Sequence, residues 1–234
     1  GVLAYAHHLE GWGTIGGGLR YLGYGSLNRF DREGRKTGTF GANDLALSAA
    51  FSHPYGRNLR LGGSGRLVTS AIADYRTTAV AFDLGVAYRW PAQRLILQAA
   101  MTNGGQSVLQ LGTVRQQLPL GLHLTASKRL EHVPVRFSVT GYELHEIRRD
   151  TSRSIAGSAL DHLNLNVNLY LGSAVVARFG FSPRMHRALS SGGRLDLAGL
   201  TSGLTLRIDP IRFDYAYRSW SGFGGLHFLT IQST

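Results

Sequence analysis

Large apolar and small or polar residues alternate along several stretches of this chain. Val80, Phe82, Leu84, Val86, Tyr88 and Trp90 are large and apolar, while Ala81, Asp83, Gly85, Ala87 and Arg89 sit between them. Leu163, Leu165, Val167, Leu169 and Leu171 repeat the pattern against Asn164, Asn166, Asn168 and Tyr170. Successive side chains of a strand point to opposite faces, so each stretch predicts a strand with one greasy and one wet face. Three Asn and a Tyr on one face would be costly in a dry core. They suit the wall of a watery lumen, with the apolar face turned to lipid.

Read along the chain, the pattern predicts thirteen strands, at 2–9, 12–23, 43–53, 58–70, 78–90, 93–102, 118–128, 133–145, 159–171, 174–183, 197–208, 211–219 and 226–234. Most approach the roughly 9 to 11 residues with which a tilted strand crosses a bilayer. Short turns are expected near Glu10–Gly11, 53–58, 91–92, 129–132, 172–173 and 209–210. Longer connections are expected at 24–42, 71–77, 103–117, 146–158, 184–196 and 220–225. Strict alternation of short and long is the expectation for an up-and-down transmembrane barrel. Tyr88, Trp90, Phe51 and Tyr55 lie beside short turns, as aromatic girdles do.

No apolar run approaches the roughly 18 to 20 residues of a membrane helix, so a membrane reading is a barrel reading. The mean hydropathy of −0.06 agrees, because only alternate residues are greasy. A soluble sandwich would also alternate, but its outer faces would be rich in Lys, Glu and Thr. Here those faces carry Gly, Ala, Ser, Asn and scattered Arg, and Lys36 and Lys128 are the two lysines. The expected class is therefore all-β: one outer-membrane barrel domain over 1–234, long loops outside and both termini periplasmic. Gly1 and Val2 read as strand interior, and single-chain bacterial barrels have even strand counts. At least one N-terminal strand is thus expected to be missing, with fourteen in the complete protein.

The net charge of +11 comes from 25 Lys plus Arg against 14 Asp plus Glu. No basic helix or aromatic-bearing sheet points to nucleic acid. Phasing from the greasy faces directs Arg66, Asp83, Asn164, Asn166, Asn168, Arg178, Arg212 and Asp214 to the lumen, because charge facing lipid near midplane costs about 2 to 4 kcal/mol. These residues would either guide anions or brace the interior in Arg–Asp and Arg–Asn pairs, and bracing is the simpler reading. The loops carry Arg29, Arg32, Arg35 and Lys36, then Arg148, Arg149 and Arg153, then Arg184, Arg187 and Arg194. Arginine pairs well with phosphate, so these loops are candidate contacts for lipopolysaccharide or a surface protein.

Candidate chemistry is sparse. The sequence has no Cys. His7 and His8 are adjacent on a strand and point to opposite faces, so they cannot chelate together. The other histidines show no ligand spacing, and no nucleophile elbow or phosphate loop is present. No catalytic set, metal site or cofactor is expected.

The segment Gly38-Thr39-Phe40-Gly41-Ala42-Asn43-Asp44-Leu45-Ala46-Leu47, entered from Tyr24-Gly25-Ser26-Leu27, resembles the PorQ family of outer-membrane barrels. Ala4-Tyr5-Ala6-His7-His8, Asp83-Leu84-Gly85-Val86-Ala87-Tyr88 and Arg212-Phe213-Asp214-Tyr215-Ala216 are similar to further strands of that family. The resemblance implies a barrel related to the fatty-acid-transporter type. It also implies a non-enzymatic anchor in the type IX secretion system of Bacteroidetes. There the family joins PorZ, PorU and PorV in a complex that attaches cargo to anionic lipopolysaccharide. A transport barrel for hydrophobic or anionic small molecules is the alternative.

Overall fold

The computed structural model describes residues 1–109, 118–147, 155–190 and 196–233. Thirteen strands follow one another in a single sheet, each beside its neighbours in sequence. They are β1 (Val2–Leu9), β2 (Gly13–Phe30), β3 (Lys36–Tyr55), β4 (Leu59–Ile72), β5 (Tyr75–Trp90), β6 (Leu95–Leu109), β7 (Gly121–Arg129), β8 (Val135–Gly141), β9 (Leu163–Leu171), β10 (Val175–Phe181), β11 (Leu200–Ile208), β12 (Ile211–Ser219) and β13 (Gly225–Ser233). Two short helices interrupt the later connections: α1 (Ile155–Asp161) and α2 (Pro183–Leu189). Among the described residues no helix is long and apolar enough to cross a membrane.

The chain divides into two compact units, one of 1–87 with 100–121 and one of 88–99 with 122–234. In the first, Leu3, Leu19, Leu47 and Leu67 stand opposite one another across β1 to β4, while Ala4, Gly18, Ser48 and Arg66 form the neighbouring row. In the second, Val135, Leu169, Ala177, Leu204, Tyr215 and Leu229 form an apolar row across β8 to β13. The next row over β8 to β12 is Arg136, Asn168, Arg178, Gly203 and Ala216. A one-residue slip would exchange the two faces, so the alternation sets the register.

The faces are inverted relative to a water-soluble protein. Leu84 is 55% exposed and Ala81, three residues before it, is 2% exposed. Among the described residues, Thr205 is the largest side chain that is fully buried. Exposed Leu, Val, Ile and Phe run through nearly every strand, far beyond the few hundred Å² that a soluble monomer shows. Lipid is the solvent that satisfies such a surface.

The strict alternation of short and long connections does not hold in length, for a local reason. β2 and β3 continue through the expected 24–42 loop and meet at a tight turn, where the Asp31 carboxylate accepts the backbone N–H groups of Glu33 (3.1 Å) and Arg35 (2.7 Å). The expected 71–77 connection shrinks to Ala73 and Asp74 between β4 and β5. Long hairpins therefore replace long loops at these two places. Gly16, Gly17 and Gly18 keep regular register with β1 and β3. Register shifts fall between Arg29 and Phe30 and between Gly23 and Ser26, and at the latter Gly25 takes a φ of +73°, a conformation suited to a bulge glycine.

Candidate functional site

Among the described residues, two carboxylates on the polar face each gather arginine, Asp83 and Asp214. In the first unit, Asp83 on β5 receives a hydrogen bond from Ser64 (2.8 Å), one from the Asn103 backbone N–H (2.8 Å), and an ion pair from Arg66 (2.6 Å). Arg66 also reaches the Asn103 side-chain carbonyl at 3.4 Å. In the second unit, Asp214 on β12 gathers Arg178 from β10 (3.1 Å) and Arg212 from its own strand (2.8 and 2.9 Å), with Thr205 donating from β11. The Arg212 Nε contact is close but poorly aligned, so its weight lies in charge rather than in a directed hydrogen bond. Arg66, Arg178 and Arg212 are all engaged.

Asn164, Asn166 and Asn168 stand in register with Thr140, Ser138 and Arg136 of β8. Arg136 and Arg129 lie over the Tyr170 ring at 5.7 and 4.9 Å, the separation of a cation–π contact. Above this part of the polar face sits a cavity of about 650 Å³. Thr140, Asn164, Asn166 and Thr201 line it from the strands, and Phe181, Met185, Ala188, Leu189 and Trp220 give it an apolar side. Arg184, Arg218 and Tyr142 complete much of the wall. The Trp220 indole N–H and the Asn164 amide oxygen are buried without a hydrogen-bond partner among the described residues, leaving one donor and one acceptor unmatched at the cavity. Such a volume, mostly apolar with a few polar groups, is the form of a small-molecule site.

α2 makes one wall of this cavity. Pro183 occupies its first turn, a position that needs no N–H donor. Gly199 lies beneath the helix with φ +75°, and a Cβ there would stand 2.5 Å from the Ser182 carbonyl oxygen and 2.7 Å from the His186 nitrogen. Strand alternation carries no sign of α2, because the helix lies in the expected 184–196 loop. Pro183 was the available signal.

The basic loop residues divide. Arg184 pairs with Glu143, and Arg187 with Asp161, so these two tie α2 to the β8–β9 connection. The Glu143 carboxylate, by its hydrogen bond, pushes the Arg184 guanidinium above its usual range. Arg29 on β2 lies 3.7 Å from an exposed Asp74 and over the Phe40 ring at 5.9 Å. Arg32, Arg35 and Lys36 at the β2–β3 turn are exposed and make no ion pair among the described residues. Arg148, Arg149, Arg153 and Arg194 lie outside the described residues.

The inverted faces, the polar braces and the sequential antiparallel order define a class: the transmembrane β-barrel of outer-membrane type. Solved structures carry the same fold. The Pseudomonas putida toluene transporter TodX superposes with a TM-score of 0.59 at 14% identity, over 92% of this chain and 75% of its own. The Ralstonia pickettii toluene transporter TbuX superposes with a TM-score of 0.58 at 12% identity, over 98% of this chain and 78% of its own. No protein-family model matches the chain, and no curated protein matches it in sequence. The resemblance to the PorQ family thus finds no counterpart in these comparisons.

Proposed function

We propose that this chain is an outer-membrane barrel that admits hydrophobic small molecules, and that the cavity beside α2 is where they pause. The observation that carries this reading is the cavity itself, with Phe181, Met185, Leu189 and Trp220 offering apolar surface inside an otherwise polar face. The fold shared with two toluene transporters supports it. Arg184 and Arg218 at the wall would tolerate a solute with one weakly anionic or hydroxyl end. Within the same unit, Arg178 and Arg212 are paired with Asp214.

The test is solute binding and flux. Toluene added to the purified protein in detergent should change the fluorescence of Trp220, and Trp220→Phe should remove that change. Proteoliposomes should take up toluene-sized aromatics faster than empty vesicles. Absence of both responses sinks the transport reading. The anchoring role implied by the PorQ resemblance makes a different demand. A pull-down from native outer membranes would then recover a large surface protein together with lipopolysaccharide.

A further inference from the structure

A second cluster lies in the β8–β9 connection. Glu143, Glu146 and His162 each offer one ligand atom, and these atoms lie within 4.8 Å of one another. His162 is 7% exposed. One of its ring nitrogens, Nδ1, is 2.9 Å from the Ser158 carbonyl oxygen, which can only accept, so Nδ1 carries the proton in that contact. The other, Nε2, is buried and has no hydrogen-bond partner among the described residues. An imidazole whose Nδ1–H is held by a carbonyl presents the Nε2 lone pair, and metal-bound histidines are oriented in this way.

The frame around the cluster is tied down. The Tyr142 hydroxyl donates to the Asp161 carbonyl (2.8 Å), and the Tyr142 backbone N–H donates to the His162 carbonyl (2.9 Å). Ser158 donates to the Ile147 carbonyl (3.0 Å), which joins α1 to the segment that carries both glutamates. His145 Nε2 lies 3.8 Å from the Glu146 carboxylate and is placed to orient it.

We infer that Glu143, Glu146 and His162 form a binding site for a divalent transition-metal ion, with Zn²⁺ as the natural probe. One imidazole and two carboxylates are a borderline donor set that suits Zn²⁺ better than Ca²⁺ or Mg²⁺, which prefer oxygen alone. Tetrahedral bonds of about 2.0–2.1 Å require the donors to close to roughly 3.3 Å from one another, a shift that carboxylate rotamers can supply. Arg184 is the competitor, because it holds Glu143 in the absence of metal. Binding would release Arg184 into the cavity wall that it also lines. The metal site stands whether or not the cavity carries a solute.

The experiment titrates the chelator-treated protein in detergent with ZnCl₂ by calorimetry, and repeats it with Co²⁺ to read the visible spectrum. One Zn²⁺ per chain is expected, with a Co²⁺ band showing nitrogen and oxygen ligation. His162→Gln and Glu146→Gln should each weaken binding by at least about tenfold. Arg184→Gln should tighten it, and His8→Gln should leave it unchanged. Circular dichroism of each variant checks that the sheet has formed. If His162→Gln fails to fold, the Co²⁺ spectrum of the unaltered protein and the Glu146→Gln titration still decide. A dissociation constant weaker than about 100 µM overturns the inference, as does binding that folded His162→Gln or Glu146→Gln leaves intact.

Discussion

Asp214 shows how one residue can hold several strands. Its carboxylate collects donors from β10, β11 and its own strand. Asp214→Asn would leave Arg178 and Arg212 facing each other without their shared counter-charge. The side chains are partly exposed, which limits the loss to about 1–2 kcal/mol. Arg207→Gln, at an exposed position whose side chain makes no ion pair among the described residues, should stay within about 0.5 kcal/mol. Denaturant unfolding in lipid vesicles measures both, and equal effects would contradict the bracing role. The opposite face gives a sharper contrast. Leu84→Arg should cost about 2–4 kcal/mol if that position meets the middle of the bilayer, and should lower refolding into vesicles. Wild-type-like folding of Leu84→Arg would place the greasy face somewhere other than lipid.

At the scale of elements, the strands were legible because period-two alternation is a local property of the chain. The Ile211–Ser219 strand appears where the pattern puts it, whereas the strand expected at 159–171 begins only at Leu163, because residues up to Asp161 belong to α1. Connections were less legible. Residues 24–42 lack strong alternation, yet they continue as paired strand because β2 and β3 satisfy one another's backbone groups beyond the apolar band. α2 was missed for a related reason: a seven-residue helix has too few turns to leave a periodic signal. Its seat depends on Gly199. Gly199→Ala would drive a Cβ into the Ser182 carbonyl and the first turn of α2. The expected outcome is weaker solute binding in the cavity with an unchanged sheet signal in circular dichroism. Unaltered binding would show that α2 is not a wall of the solute site.

At the scale of the whole molecule, the exposed apolar faces require a lipid environment, and the proposed transport reading puts the solute at the cavity beside α2. A bulky residue on the inner side of α2 tests the two together. Ala188→Trp should reduce aromatic flux in proteoliposomes severalfold while leaving the folded yield unchanged. Undiminished flux would move the path away from this cavity. The cations at the β2–β3 turn belong to this scale as well. Reversing Arg32, Arg35 and Lys36 to Glu should reduce capture of the protein on lipopolysaccharide-coated surfaces, since these residues make no ion pair among the described residues.

The amino-acid sequence by itself determined the strand periodicity, the assignment of greasy and wet faces, and with them the membrane class. Each follows from which side of a pleat a side chain occupies, and that depends only on neighbours in the chain. Tertiary structure alone decided which charges meet. Asp83 lies 17 residues from Arg66 and Asp214 lies 36 from Arg178, and strand register brings each pair together. The cavity and the Glu143, Glu146 and His162 cluster likewise depend on how α1, α2 and the β8–β9 connection pack. Their residues are scattered in sequence, with no periodic or motif spacing to announce them. The decisive physical reason is that alternation is written in adjacent residues, whereas a site is made by contacts between distant ones.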